Sequence, residues 1–183
     1  YMYNWLFGEK CWVDFSSGTP VAKSGSNIFA QETSVSMSDN TGKLLFYTNG
    51  GEDSFFTDGK IWNSNHQVMQ NGDITNLMGG TSSIQGALSF LKSGSQYYLF
   101  TLDDMGASTR GLVYTIIDMA ANGGLGARIG GVTTVVMDGV NGDKLSESMT
   151  GTTHANGIDH WVVTNNYDGD LIIALITPNG VSS

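Results

Sequence analysis

Three histidines, seventeen acidic residues and one cysteine, with a generous supply of serines, are the side chains of this 183-residue chain that could do chemistry. Zinc sites draw their ligands from close pairs backed by others at set spacings. His154 and His160 face each other across a turn with no Cys or Glu beside them, and His66 stands far away. The expected role of all three is hydrogen bonding to backbone at turns and strand edges. A serine nucleophile on a strand-to-helix elbow needs Gly-x-Ser-x-Gly. The serines after Gly25 and Gly94 do not fit that pattern. Paired acids occur at Glu52/Asp53, Asp103/Asp104 and Asp168/Asp170. Glycosidases hold two carboxylates about 5–9 Å apart across a substrate, whereas adjacent acids in a strand point to opposite faces. Calcium suits these loops better, because it takes carboxylate and carbonyl oxygens. Asp168 and Asp170, in the run 166–170, are the candidate ligands, with 39–42 a second oxygen-rich turn. Asn, Asp and Gly are also what hairpin turns require, and that reading comes first. Segment 138–143 lacks the spacing and twelfth ligand of an EF-hand. No catalytic residue is expected, and no cofactor, calcium being the one open alternative.

The elements that must position these residues are strands. Twenty-five glycines and two prolines, without a collagen period, call for many tight turns. Helical periodicity is nearly absent; the one candidate, 112–121, is rich in β-type residues and reads as a strand. Three segments resemble one another: 34–48, 86–101 and 151–164. Each has a strand, a turn glycine (Gly42, Gly94, Gly157), then an aromatic and aliphatic strand closed by a threonine (Thr48, Thr101, Thr164). The glycine-to-threonine spacing is 6, 7 and 7 residues. Further strands follow at 60–66, 112–117 and 171–176, with a β run at 132–137. The unit is an up-and-down meander of three or four strands, repeated over approximately 28–85, 86–137 and 145–183 of a single domain spanning 1–183. Small sheets that cannot bury both faces alone do so by stacking around an axis, as propeller blades do. The expected fold is all-β, an antiparallel propeller-like array with about three blades present. A lectin-like sandwich is the alternative. So few blades would leave two sheet faces open. The chain is therefore expected to be a piece of a longer one, or to close by pairing with another copy.

Trp62 and Trp161 fall within strands and are expected to pack between blades. Cys11, alone and unable to form an intrachain disulfide, reads as a small buried hydrophobe. The polar loop 49–59 is longer than a hairpin needs. Phe55 and Phe56 within it are the candidate partner-binding residues.

Several words occur together in order: WLFG at 5–8, VDFSSGTP at 13–20, SMSDNTGKLLFYTNG at 36–50, IWNSNHQVMQNG at 61–72, DMAANGGLG at 118–126 and HANGIDHWVVT at 154–164. Together they resemble the propeller-like N-terminal module of large surface proteins of gliding Bacteroidetes. The chain departs from that family at Phe90-Leu91, where a Val-Pro-type step is usual. The resemblance implies a non-enzymatic binding or adhesion module of a secreted, cell-surface protein. In that family PKD-type repeats and a type IX secretion sorting domain follow, and no catalytic residues are implied.

Charge narrows the partners. The net charge is −9, and eight Lys and Arg are scattered along the chain. Nucleic-acid affinity comes from clustered cations that neutralise phosphates, so nucleic acid is excluded as the main partner. No apolar run reaches the ~18 residues of a membrane helix, so no membrane insertion is expected. A protein or glycan surface partner remains. The alternative is a structural subunit of a larger assembly, such as a surface appendage, secretion complex or phage particle. A carbohydrate-active enzyme comes third.

Overall fold

The computed structural model describes residues 3–52, 58–104, 110–136 and 144–183. The described chain is all-β, with fifteen strands, one 3-10 turn at Asn122–Gly124 and no α-helix. Strands β1 (Asn4–Phe7), β2 (Cys11–Asp14) and β3 (Val21–Lys23) form an N-terminal antiparallel sheet. Three four-stranded meanders follow. The first is β4 (Val35–Ser38), β5 (Leu44–Thr48), β6 (Lys60–Asn63) and β7 (Val68–Asp73). The second is β8 (Ala87–Ser93), β9 (Gln96–Leu102), β10 (Leu112–Asp118) and β11 (Ala127–Val136). The third is β12 (Leu145–Thr153), β13 (His160–Asn166), β14 (Leu171–Thr177) and β15 (Gly180–Ser182).

The repeated hairpins thus open each meander. Gly42, Gly94 and Gly157 all adopt positive φ in the connection between first and second strands, as their turns demand. Within the meanders two strands escaped the sequence pattern, β7 and β15. Residues 180–182 form the fourth strand of the third meander, inside the unit expected over 145–183.

The first and second meanders are joined edge to edge by one parallel pair, Gln70 with Ala127. The resulting eight-stranded sheet curls back on itself into a nearly closed, barrel-like shape, with β4 approaching β8. Its interior is filled by Val35, Met37, Phe46 and Ile61 from the first meander and Ala87, Leu99, Val113 and Ile117 from the second. The outer face of the first meander carries Leu44, Tyr47 and Trp62, which pack against Leu6 of the N-terminal sheet. The outer face of the second carries Tyr98, Phe100 and Leu112, which pack against Met149, Val162 and Ile176 of the third. The described chain is therefore three sheets built from four strand groups, the N-terminal sheet and three meanders, in chain order with a core between each neighbouring pair. The first strands run side by side along one edge: β1 by β4, β4 by β8, β8 by β12.

Strand register shows which way the threonines face. Thr48 pairs with Val35, whose side chain enters the barrel interior towards the second meander. Thr101 pairs with Ala87, which enters the same interior from the opposite side, and Thr164 pairs with Met149, which faces back onto the second meander. A side-chain period of two means that one residue of slip reverses the face. In the first hairpin a register shift that leaves Leu45 without a cross-strand partner breaks the alternation between Gly42 and Thr48.

Trp62 is buried in the core under the N-terminal sheet, as expected, whereas Trp161 is only half-buried. Cys11 corrects another expectation. It is exposed, because its partner across the β1–β2 hairpin is Phe7, on the face of the N-terminal sheet turned away from the first meander.

Candidate functional site

A cleft of about 550 Å³ opens where the hairpin ends of the three meanders converge. The first meander supplies Met37 and Ser38, the second Ser89, Phe90, Leu91, Lys92 and Tyr97, and the third Thr153, Ile158 and His160. Strand β8 runs through its middle. Alternation turns Phe90 towards the third meander, where its ring stacks on His160 at 4.6 Å between centroids and 24° between planes. The Gly151 backbone allows this contact. A Cβ there would lie 2.5 Å from the Phe90 ring and 2.8 Å from the Trp161 carbonyl. On the rim, Leu91 and Ile158 are 51% and 64% exposed, the kind of apolar lining that ligand clefts carry.

Most polar groups in the cleft serve the fold. Ser89 Oγ donates to the Tyr98 carbonyl at 2.8 Å, and Ser38 Oγ accepts from Asn4 Nδ2 at 3.0 Å. Lys92 Nζ donates to the Pro178 carbonyl at 2.8 Å and lies over the Tyr98 ring. Tyr97 packs edge-on against Phe46; burial, aided by the negative charge of Asp39, pushes its phenol above the ordinary value. His160 differs. Its Nδ1 is buried and has no hydrogen-bond partner. Burial holds the imidazole below its ordinary pKa, against a smaller opposing pull from Asp159, which favours the neutral ring.

The other histidines are bound into the fold. His66 occupies the turn after β6 with φ 61°. Its Nδ1 meets the Tyr47 hydroxyl at 3.1 Å, its carbonyl accepts from Asn27 Nδ2, and its ring stands edge-on to Trp12. His154 Nδ1 accepts the Asn156 backbone N–H at 3.1 Å within its turn. His154 and His160 therefore serve different contacts and do not converge on one point.

The calcium candidates lie in the β13–β14 turn. Asp170 Oδ2 accepts from Asn166 Nδ2 at 3.2 Å, while the Asp170 N–H donates to Asn166 Oδ1 at 2.7 Å. Asp168 is exposed at the tip. Asp39 likewise closes its own turn by accepting from Thr41 and Lys43 N–H groups. Among the described residues no three His, Cys, Asp or Glu side chains are grouped to hold a metal ion. Phe55 and Phe56 lie outside the described residues. The base of their loop is pinned by buried Asn49, which donates to the Phe29 and Asp58 carbonyls.

Two arrangements were missed from sequence. The cleft is one, because its walls come from three separate units; only the shared end of the hairpins hinted at it. The other is an ion cluster at the loops after β5 and β9. Arg110 Nη1 reaches Glu52 Oε1 at 3.2 Å and its Nε reaches Asp103 Oδ1 at 3.1 Å. Asp103 also accepts the Arg110 and Gly111 backbone N–H groups. This cluster ties the first meander to the second. Its geometry is that of a clamp.

Comparisons with family models, with curated proteins and with solved structures each return no match for this chain.

Proposed function

We propose that the chain is a non-enzymatic binding or adhesion module of an exported bacterial cell-surface protein, with its meanders acting as propeller-like blades. Three meanders in chain order, with first strands aligned along one edge, support the blade reading. The resemblance of the words at 5–8, 36–50 and 154–164 supports the surface-protein reading. The observation that carries the binding role is the cleft itself. It has exposed aliphatic rims, an aromatic wall and one buried imidazole nitrogen without a partner. Ligand sites share this pattern of apolar lining with a few convergent polar groups. The ligand that suits it is an uncharged segment of a glycan or surface protein offering one hydrogen-bonding group to His160. A glycan array run with the wild-type chain and with Ile158→Asp tests this. Binding by the wild type and its loss in the variant, at unchanged melting temperature, is the expected result. Equal binding by both would remove the cleft from the proposal. Turnover of a bound glycan would replace the binding role with an enzymatic one.

A second reading, a structural subunit of a larger assembly, is favoured by the apolar outer faces of the two terminal sheets. Trp5 and Phe7 at one end, and Leu171 and Ile173 at the other, are 44–68% exposed. Co-purification with other subunits in fixed stoichiometry is its test.

A further inference from the structure

Strand β8 ends the eight-stranded sheet, so one of its edges pairs with β9 and the other has no described strand laddered to it. Register fixes which backbone groups lie on that second edge. The Leu102 N–H donates to the Gly86 carbonyl at 2.9 Å, which makes Gly86 and Leu102 a hydrogen-bonded pair. Bonded and non-bonded pairs alternate along an antiparallel ladder. Leu88–Phe100 and Phe90–Tyr98 are therefore bonded pairs, whereas Ser89–Leu99 and Leu91–Tyr97 are not. The N–H and C=O groups of Ser89 and Leu91 thus point away from β9, where these residues line the cleft. Gln85, in the same phase, shows what this edge does when a strand is at hand. Its N–H donates to the Glu147 carbonyl at 3.0 Å and its carbonyl accepts the Met149 N–H at 3.1 Å, a parallel bridge to the strand beside it. Farther along, the Phe90 ring lies against Gly151 of β12 and stacks on His160, and the bridge does not continue as a ladder. Unpaired groups along a strand edge are a template for another strand.

We infer that the cleft takes an extended peptide segment of a partner protein, which adds to the free edge of β8 as an extra strand. The inference rests on the reading of the cleft as a binding site and names its ligand class. In strand addition, main-chain hydrogen bonds give affinity and pockets for alternate side chains give specificity. The cleft has both parts. An added strand continues the sheet, so its successive side chains fall on opposite faces. One face meets Met37 and Tyr97, and the other meets Phe90, Ile158 and His160. Both walls are mainly apolar, which suits uncharged side chains. The buried His160 Nδ1 offers one polar contact on the second wall. A glycan carries no alternating N–H and C=O groups to match those of Ser89 and Leu91.

Selection from a phage-displayed library of random linear heptapeptides, followed by titration of the resynthesised binders, tests it. Leu91→Pro removes one outward N–H and no bond to β9, at the kind of edge position where proline is tolerated. Leu91→Ala removes the same side chain and keeps the amide. Leu91→Pro is expected to bind about tenfold more weakly than Leu91→Ala, with thermal melts showing that both are folded. N-methylation of the peptide, one residue at a time, gives a second readout on the unaltered chain. Binding should be lost at every other residue, those whose N–H faces β8. A profile without alternation overturns the inference and leaves a cleft read through side chains alone. Equal binding by the two Leu91 variants also overturns it, because the peptide then pairs elsewhere than on β8. A library without binders beside a positive glycan array overturns it as well and makes the cleft a glycan site. If neither peptides nor glycans bind in a manner that Ile158→Asp abolishes, the binding role of the cleft fails and the inference falls with it.

Discussion

The second and third meanders have the same strand order, the same hairpin phase and the same cross-strand registers, yet their faces meet different surroundings. The second is sandwiched, with Leu99, Phe100, Leu112 and Val113 all at 0–2% exposure. The third is covered on one side, so β14 alternates between buried Ala174 and Ile176 and exposed Leu171 and Ile173. Strand alternation decides which residues share a face, but only the neighbouring sheet decides whether that face is core. The apolar pattern along a strand is therefore a statement about the assembly around it as much as about the strand.

The largest effect that could break this comparison is a truncation at matched positions. Leu112→Ala is expected to lose about 2–5 kcal/mol of unfolding free energy, the range for a buried leucine with partial collapse of the cavity. Leu171→Ala, its counterpart, should stay within about 0.5 kcal/mol when measured at monomer concentrations. Urea unfolding of both variants checks this, and equal losses would mean that the third meander is as enclosed as the second.

Next in size is the contact between the two meanders. Gly151→Ala sets a Cβ against the Phe90 ring and the Trp161 carbonyl. The resulting strain should cost about 1–3 kcal/mol. Adding Phe90→Leu should recover part of the loss by removing the ring, whereas no recovery would place the strain on the Trp161 carbonyl instead.

The smallest effect is pH dependence. Burial holds both His66 and His160 below the ordinary value of 6.5. The unfolded chain therefore binds more protons than the folded one as pH falls below about 6.5. The histidine contribution is fully present above that pH and declines as pH drops through the folded-state values. The carboxyls of Asp14, Asp39 and Asp118, held below 3.8 chiefly by hydrogen bonds from Ser16, Thr41 and Ser95, begin to lose their contribution only in stronger acid. Melting temperatures taken from pH about 7 to 5 should fall, and His160→Gln should flatten the slope. His160 sits at the seam between the compared meanders, so a slope unchanged by His160→Gln would assign the effect to His66 and the N-terminal sheet.

The hairpins were legible in the sequence because each joins a turn glycine to a run of alternating aromatic and aliphatic residues. Strand β7 was hidden because half of its sequence, VMQNGD, is turn-type residues, and only Met69 and Gly72 are buried. Strand β15 is three residues long and carries no pattern of its own. Cys11 was misread because burial depends on a covering sheet, which alternation cannot supply. The turn roles of His154, Asp39 and Asp170 were legible, since Asx-type side chains close loops locally. The cleft was not, because Met37, Phe90 and His160 are brought together only by the stacking of sheets.

The parallel junction between β7 and β11 has a consequence for how the chain reaches this shape. Apart from that junction, every ladder joins strands that are consecutive in the chain. At the junction Asn71 and Arg128, 57 residues apart, exchange hydrogen bonds at 3.1 and 2.8 Å. A nascent chain emerging at about 5–20 residues per second can thus complete each meander before the next is synthesised. Loop-closure entropy then delays the stacking of finished sheets, the sealing of this seam and the isolated parallel bridge of Gln85 to Ser148. Hydrogen-exchange labelling during refolding should find the β9–β10 amides protected early and those at Asn71 and Arg128 late.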